Sequence, residues 1–275
     1  MPRFAPRLHI LFASHAPLAL VIRRGPSKSV ATLLWNRRKD TFQLGQWLRG
    51  RIYERRSDLS PDGKYMLYFA MNGRWKSETQ GAWTAISQAP YLKALVLLAK
   101  GDCWNGGGLW TGKNTYWLND GYGHVPLEDH TSVRRDELYQ PDASFGSECL
   151  GVYLPRLMRD GWTLDSTTPE HSRGQRTYRF RKPLPNGWTL IKLAHAQIDA
   201  PEGKGCYWDE HELASPKGDT IACPAWEWAE LDGQRLVWAE RGCLFAASLN
   251  KRGLTDIVEL HDFNDMTFQA IAAPY

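Results

Sequence analysis

Residues 58–70 read Asp-Leu-Ser-Pro-Asp-Gly-Lys-Tyr-Met-Leu-Tyr-Phe-Ala, and no other stretch limits the possible folds as tightly. Pro61 carries the φ wanted at the second position of a type I turn, Ser60 and Asp62 are placed to bond nearby backbone, and Gly63 tolerates positive φ. The corner therefore launches an extended segment with Tyr65, Leu67 and Phe69 on one face and Lys64, Met66 and Tyr68 on the other. The same Ser-Pro-x-Gly order returns at Ser215-Pro216-Lys217-Gly218, before the β-prone run 220–223. A looser third copy, Asp262-Phe263-Asn264-Asp265, precedes a run in which Met266, Phe268 and Ala270 share a face. Repetition of one turn-plus-strand unit predicts a repeat architecture.

Hairpins fill most of the remaining chain. Residues 8–25 predict one or two strands, 30–35 and 41–47 flank a polar turn, and 51–55 predict a further strand. Runs 83–87, 91–99, 108–110, 114–118 and 177–180 follow, and 188–196 returns behind the hairpin signal Asn186-Gly187. Gly161-Trp162-Thr163-Leu164 recurs as Gly187-Trp188-Thr189-Leu190. No helical pattern exceeds a turn or two, and β-α-β alternation is missing, which excludes a doubly wound sheet. The chain is expected to be all-β and a single domain over 1–275.

Ser60-Pro61-Asp62-Gly63-Lys64 with its alternating aromatic and aliphatic strand resembles the repeat of TolB-like and WD40-like β-propellers, where it opens the inner strands of a blade. The resemblance implies an irregular five- or six-bladed β-propeller of antiparallel sheets, at about 45 residues per blade. Arg24-Gly25-Pro26-Ser27-Lys28, Gly45-Gln46-Trp47, Gly50-Arg51-Ile52-Tyr53-Glu54 and Trp83-Thr84-Ala85-Ile86-Ser87 also resemble the opening of a widespread family of uncharacterised bacterial proteins. That resemblance implies no reaction.

Thirteen Trp, 11 Tyr and 9 Phe suit a propeller core. Five Cys without a Cys-x-x-Cys pair argue against a zinc site and a disulfide framework, so a reducing, cytoplasmic compartment is expected. Arg3 and Arg7 before the apolar run 10–22 imitate a signal peptide, but His15 and Pro17 interrupt the run. No run reaches the roughly 18 apolar residues of a membrane span, and no cofactor is implied.

Charge is uneven. Residues 1–64 hold 13 Lys+Arg against 4 Asp+Glu, net +9, while the remaining 211 hold 21 against 26, net −5. Arg37, Arg38 and Lys39 head the candidate binding residues, although Arg23, Arg37, Arg38, Lys39, Arg49, Arg51 and Arg55 are also what solvent-facing positions of alternating strands and their turns supply. Gly107 to Lys113 matches the opening of a phosphate-loop pattern and fails at Asn114, where a Ser or Thr hydroxyl is required. Lys113 therefore joins Trp104 and Trp110 as a binding candidate on a glycine turn between aromatic strands. His124, Glu128, Asp129 and His130 lie within seven residues, and His211 sits among Asp209, Glu210 and Glu212. Histidine beside carboxylate is raw material for a metal site or for acid-base chemistry, yet neither spacing matches a standard ligand set or catalytic motif. The leading expectation is a non-catalytic binding or scaffolding module that presents loops to another protein. A hydrolase with a His/carboxylate site near the channel, and nucleic-acid binding through the basic first 64 residues, are the alternatives.

Overall fold

The computed structural model describes residues 4–26, 28–130, 132–146, 148–168 and 175–275; Arg3, Ser27 and Ser147 lie outside them. Contacts divide the chain into two compact units, Met1–Arg156 with Met266–Tyr275, and Leu157–Asp265. Both are built almost wholly from antiparallel sheets, and the described residues hold a single α-helix. That helix is too short to cross a membrane.

The first unit opens with a four-stranded meander, Arg7–Phe12 (β1), Leu18–Arg24 (β2), Ser29–Asn36 (β3) and Thr41–Arg49 (β4). β1 and β2 pair from Arg7 opposite Arg24 to Phe12 opposite Ala19, with His15 and Pro17 in the turn between them. A second sheet gathers Arg51–Ile52 (β5), Asp58–Leu59 (β6), Tyr65–Met71 (β7), Ala82–Gln88 (β8) and Ala94–Ala99 (β9). Gly108–Trp110 (β10) and Thr115–Leu118 (β11) form an antiparallel pair, Val125–Glu128 (β12) joins the edge of β9, and Arg134–Arg135 (β13) runs parallel to β11.

The proline-glycine corner sets β7 at the centre of this unit. Ser60 is buried; its Oγ accepts the Tyr65 N–H at 2.9 Å and donates to Asp62 at 2.7 Å. Gly63 donates its N–H to the Ser60 carbonyl at 2.8 Å with φ at +75°. The two faces of β7 then enter two cores. Met66, Tyr68 and Ala70 pack with Leu11, Leu20, Ile22 and Val30, whereas Tyr65 and Leu67 pack with Ile86, Val96, Trp110, Tyr116 and Leu118. Each face gains roughly 25 cal/mol per Å² of apolar surface removed from water, so the neighbouring sheets rest on this one strand.

The phosphate-loop-like stretch is the β10–β11 hairpin, with no helix after it. Its glycine has a packing reason: a Cβ on Gly107, at φ +73°, would stand 1.8 Å from the Arg56 carbonyl oxygen. The helix is Cys149–Arg159 (α1), and it overturns the expectation that none exceeds a turn or two. Residues 151–157 are all buried, and Pro155 inside the helix, which removes a donor, is the residue that speaks against a helix in the sequence.

The second unit holds two meanders. One is Thr163–Thr167 (β14), Arg176–Pro183 (β15), Thr189–Ala196 (β16), Tyr207–Ala214 (β17) and Thr220–Ala222 (β18). The other is Trp226–Asp232 (β19), Arg235–Glu240 (β20), Cys243–Asn250 (β21) and Gly253–Asp262 (β22). Asn186 and Gly187 take φ of +58° and +79° in the β15–β16 turn, as their pairing predicts. Both tryptophans of the repeated Gly-Trp-Thr-Leu are buried with their indole N–H bonded, Trp162 to Glu230 at 2.9 Å and Trp188 to the Asn250 carbonyl at 2.8 Å. The second corner leads into β18 with Gly218 at φ +94°. The third does not launch a strand. After β22 the Asn264 N–H turns back onto Asp262 at 2.8 Å, and residues 266–275 join the first unit outside every sheet.

Ser60→Ala removes a buried acceptor and leaves the Tyr65 amide unpaired, so it is expected to lower the stability of the first unit by about 1–3 kcal/mol. Ser215→Ala, at the more exposed second corner, is expected to change stability by no more than about 0.5 kcal/mol. Urea denaturation of the two variants measures the contrast.

Candidate ligand-binding site

His124 lies in the loop between β11 and β12 with its side chain 2% exposed. Its Nε2 is 2.9 Å from Thr84 Oγ1 and its Nδ1 2.9 Å from Asp120 Oδ1. Thr84, on β8, is itself buried, and its Oγ1 accepts the Gly107 N–H at 2.9 Å. A hydroxyl that already accepts from a backbone amide turns its proton toward the imidazole. Nε2 then accepts, and Nδ1 carries the hydrogen that Asp120 receives. Asp120 Oδ2 accepts in turn from Arg135 at 3.2 Å, which completes the series Thr84, His124, Asp120, Arg135.

Burial lowers the His124 pKa below its ordinary value; Asp120 opposes that shift, and Lys100 and Arg135 add to it. Burial alone would raise Asp120, but the hydrogen bond and charge of His124 and the Arg135 guanidinium override it and hold the carboxyl below its usual range. The pair is a neutral imidazole donating to a carboxylate.

Beside this series opens a cleft of about 500 Å³, walled by Val96, Leu98, Tyr116, Leu118, Pro126 and Val133, with Asp120, His124, Asp129, Arg134 and Arg135 as its polar members. Across Asp120 and Arg135 lies a second hollow of about 620 Å³ bounded by Trp117, Tyr139 and Pro141. Apolar walls with a few convergent polar groups are the usual composition of a ligand site, typically of roughly 300–1,000 Å³.

The structure brings only part of the sequence candidates to this cleft. His124 lines it, and His130 lies on its rim segment, bonded through Nδ1 to Ser132 at 2.8 Å. The His124–His130 cluster is split, because Asp129 faces this cleft whereas Glu128 lines a different cavity, of about 300 Å³. Trp110 is buried, stacked on Tyr65 at 6.0 Å. Trp104 and Lys113 are exposed on loops. Arg37 is built into the fold: it donates to the Ala16 carbonyl at 2.9 Å and sits 4.2 Å over the Phe12 ring, while Arg38 and Lys39 project into solvent. Arg23 and Arg55, read as solvent-facing strand positions, are instead buried, and so is Arg56. His211 belongs to the second unit, where it is 1% exposed and pairs through Nδ1 with the Trp226 carbonyl at 3.1 Å. Thr84, Asp120 and the two cleft arginines escaped sequence reasoning. Asp120 and His124 sit four apart in a loop, where that spacing signals nothing.

Among the described residues one group could offer three metal donors, Cys243, Glu259 and Asp262, whose ligand atoms lie within 4.8 Å of one another. Burial and the two carboxylates push the Cys243 thiol up to about 12.

No protein-family model matches this chain, and no curated protein matches it. Among solved structures the chain is similar to Kuenenia stuttgartiensis hydrazine synthase, with a TM-score of 0.32 and 10% identity over 89% of this chain and 77% of that one. Likeness at that level bears on neither fold nor function.

Because His124 titrates lower when folded than unfolded, the unfolded chain takes up its proton first on acidification. The stability that this residue supports is whole above the ordinary histidine value of 6.5 and declines as pH falls from there toward the lower folded value. Asp120, also depressed, extends the loss to more acid pH. His124→Gln is expected to flatten the fall in unfolding free energy as pH drops below the ordinary histidine value of 6.5, as measured by denaturation across a pH series.

Proposed function

We propose that the chain is a non-catalytic binding module whose ligand site is the cleft beside His124. One observation carries the reading. Thr84, His124 and Asp120 have the hydroxyl–imidazole–carboxylate order of a nucleophilic triad, but Thr84 is 1% exposed and already accepts the Gly107 amide. No substrate reaches a hydroxyl placed so. The series is better suited to a rigid strut that holds Arg135 at the rim of an apolar cleft. The ligand class it fits is an apolar anchor residue of a protein partner flanked by acidic side chains, which would meet Arg134 and Arg135.

The fold behind this reading is an irregular propeller of blade-type sheets. Its support is that β1–β4, β14–β18 and β19–β22 are each antiparallel meanders of consecutive strands. The parallel β11–β13 pair and the six-stranded sheet are its irregular part.

A second reading, hydrolysis, draws on the second unit. There Thr177 Oγ1 lies 2.9 Å from His195 Nδ1, Glu210 lies 3.4 Å from Nε2, and the ring stacks on Trp208 at 4.6 Å with its side chain 16% exposed. Nucleic-acid binding has less support, since Arg23, Arg55 and Arg56 are buried within the fold.

Two arms test the proposal. Proteins recovered from the native host with the wild-type chain are expected to be lost with Arg134→Glu, which reverses an exposed charge of the cleft; identical recovery would contradict it. Turnover of esters, peptides, glycosides or phosphoesters that disappears in His195→Ala would replace binding by hydrolysis.

A further inference from the structure

Residues 266–275 cross the surface of the first unit without joining a sheet. The groups that hold them are fixed by contacts of their own. Gln46, on β4, accepts the Leu92 and Lys93 amides through Oε1 at 2.7 and 3.1 Å, which aims its Nε2 at the Ile271 carbonyl 2.7 Å away. Trp47 lies 5.5 Å from the Arg23 guanidinium and meets Phe268 edge-on at 6.4 Å. The Tyr91 hydroxyl accepts from Gln43 at 3.0 Å, and its ring meets Tyr275 edge-on at 6.3 Å. The Tyr275 hydroxyl accepts the Gln88 N–H at 3.1 Å and donates to the Lys93 carbonyl at 2.5 Å. Lys93 also donates to the Tyr275 main-chain oxygen and lies 5.4 Å over its ring, while Phe268 is 71% exposed and most of 266–275 is exposed.

We propose that this row is a peptide-binding groove that residues 266–275 fill in cis. Its ligand class is an extended peptide carrying an aromatic, an aliphatic and a tyrosine residue at the spacing of Phe268, Ile271 and Tyr275. An amide side chain that reads a main-chain carbonyl, and a tyrosine hydroxyl seated between a main-chain donor and acceptor, are contacts by which extended segments are recognised. The groove side is preformed: Gln46, Trp47 and Tyr91 keep their partners in the body when the segment leaves. Release therefore costs mainly the contacts of the segment, and a new peptide meets an organised surface. A tethered segment competes at an effective concentration on the order of millimolar, so a free peptide finds the groove mostly filled until the segment is weakened. This groove lies apart from the residues that line the cleft beside His124, and the proposal stands without that reading.

The test titrates a fluorescent peptide of residues 264–275 into the full chain and follows its anisotropy. Tyr275→Ala, which weakens the cis segment, is expected to bind the peptide about tenfold more tightly than wild type. Tyr275→Phe, which keeps the ring and loses only the hydroxyl bonds, is expected to shift affinity in the same direction by a smaller factor. Adding Gln46→Ala to either is expected to abolish the gain, and a scrambled peptide to bind none of them. Equal affinity for wild type and both Tyr275 variants, no binding to any of them, or equal binding of the scrambled peptide would each overturn the proposal.

Discussion

The first unit depends on three buried arginines, Arg55, Arg56 and Arg156, the first of which stands where sequence patterning puts surface charge. Arg56 donates to the carbonyls of Cys103 and Asn105 and to Cys149 Sγ at 3.1 Å, and faces Glu148 at 3.5 Å. Arg156, on α1, donates to the Ser57 carbonyl, to the Glu54 carbonyl at 3.1 Å and to His9 Nε2 at 3.0 Å. Arg55 lies 4.4 Å over the Tyr153 ring. A buried cation without partners costs several kcal/mol, and guanidinium is the cation whose five donors a cage of carbonyls can satisfy. The arginines thus tie α1, the turn at residues 54–57 and the loop before β10 to one another.

From that cage one line of contacts runs to the cleft. Arg56 fixes the Asn105 carbonyl, two residues before Gly107; the Gly107 amide donates to Thr84, Thr84 holds His124, and His124 holds Asp120, which holds Arg135. Asp58 adds a second tie by accepting the Trp110 N–H at 2.8 Å. The cleft proposed as the binding surface is thus tied to structural charge, and burial keeps its histidine below the ordinary imidazole pKa.

What the sequence made legible follows its local chemistry. Pro61 and Gly63 announce their corner, Asn186-Gly187 announces its hairpin, and the alternation in 65–71 announces a strand, because turn and pleat are set by residues within a few positions of one another. Long-range pairings are silent. Nothing near Arg55 or Arg56 tells that carbonyls 47 and 49 residues away from Arg56 will cage it. Pro155 inside Cys149–Arg159 speaks against the helix that forms there, and after the third corner no strand follows: Phe268 meets the Trp47 ring and the Ile271 carbonyl accepts from Gln46, both on a distant strand. Gln46 shows its reason only in the fold, where one amide joins residues 92, 93 and 271.

The claim that buried arginine organises the first unit is tested most directly by native-state hydrogen exchange at the Gly106, Gly107 and Trp110 amides. Arg56→Met is expected to cut their protection by well over tenfold, in keeping with a loss of about 3–5 kcal/mol when one partner of a buried charged network is removed, while Arg38→Met leaves it unchanged. Equal protection in the two variants would contradict the account.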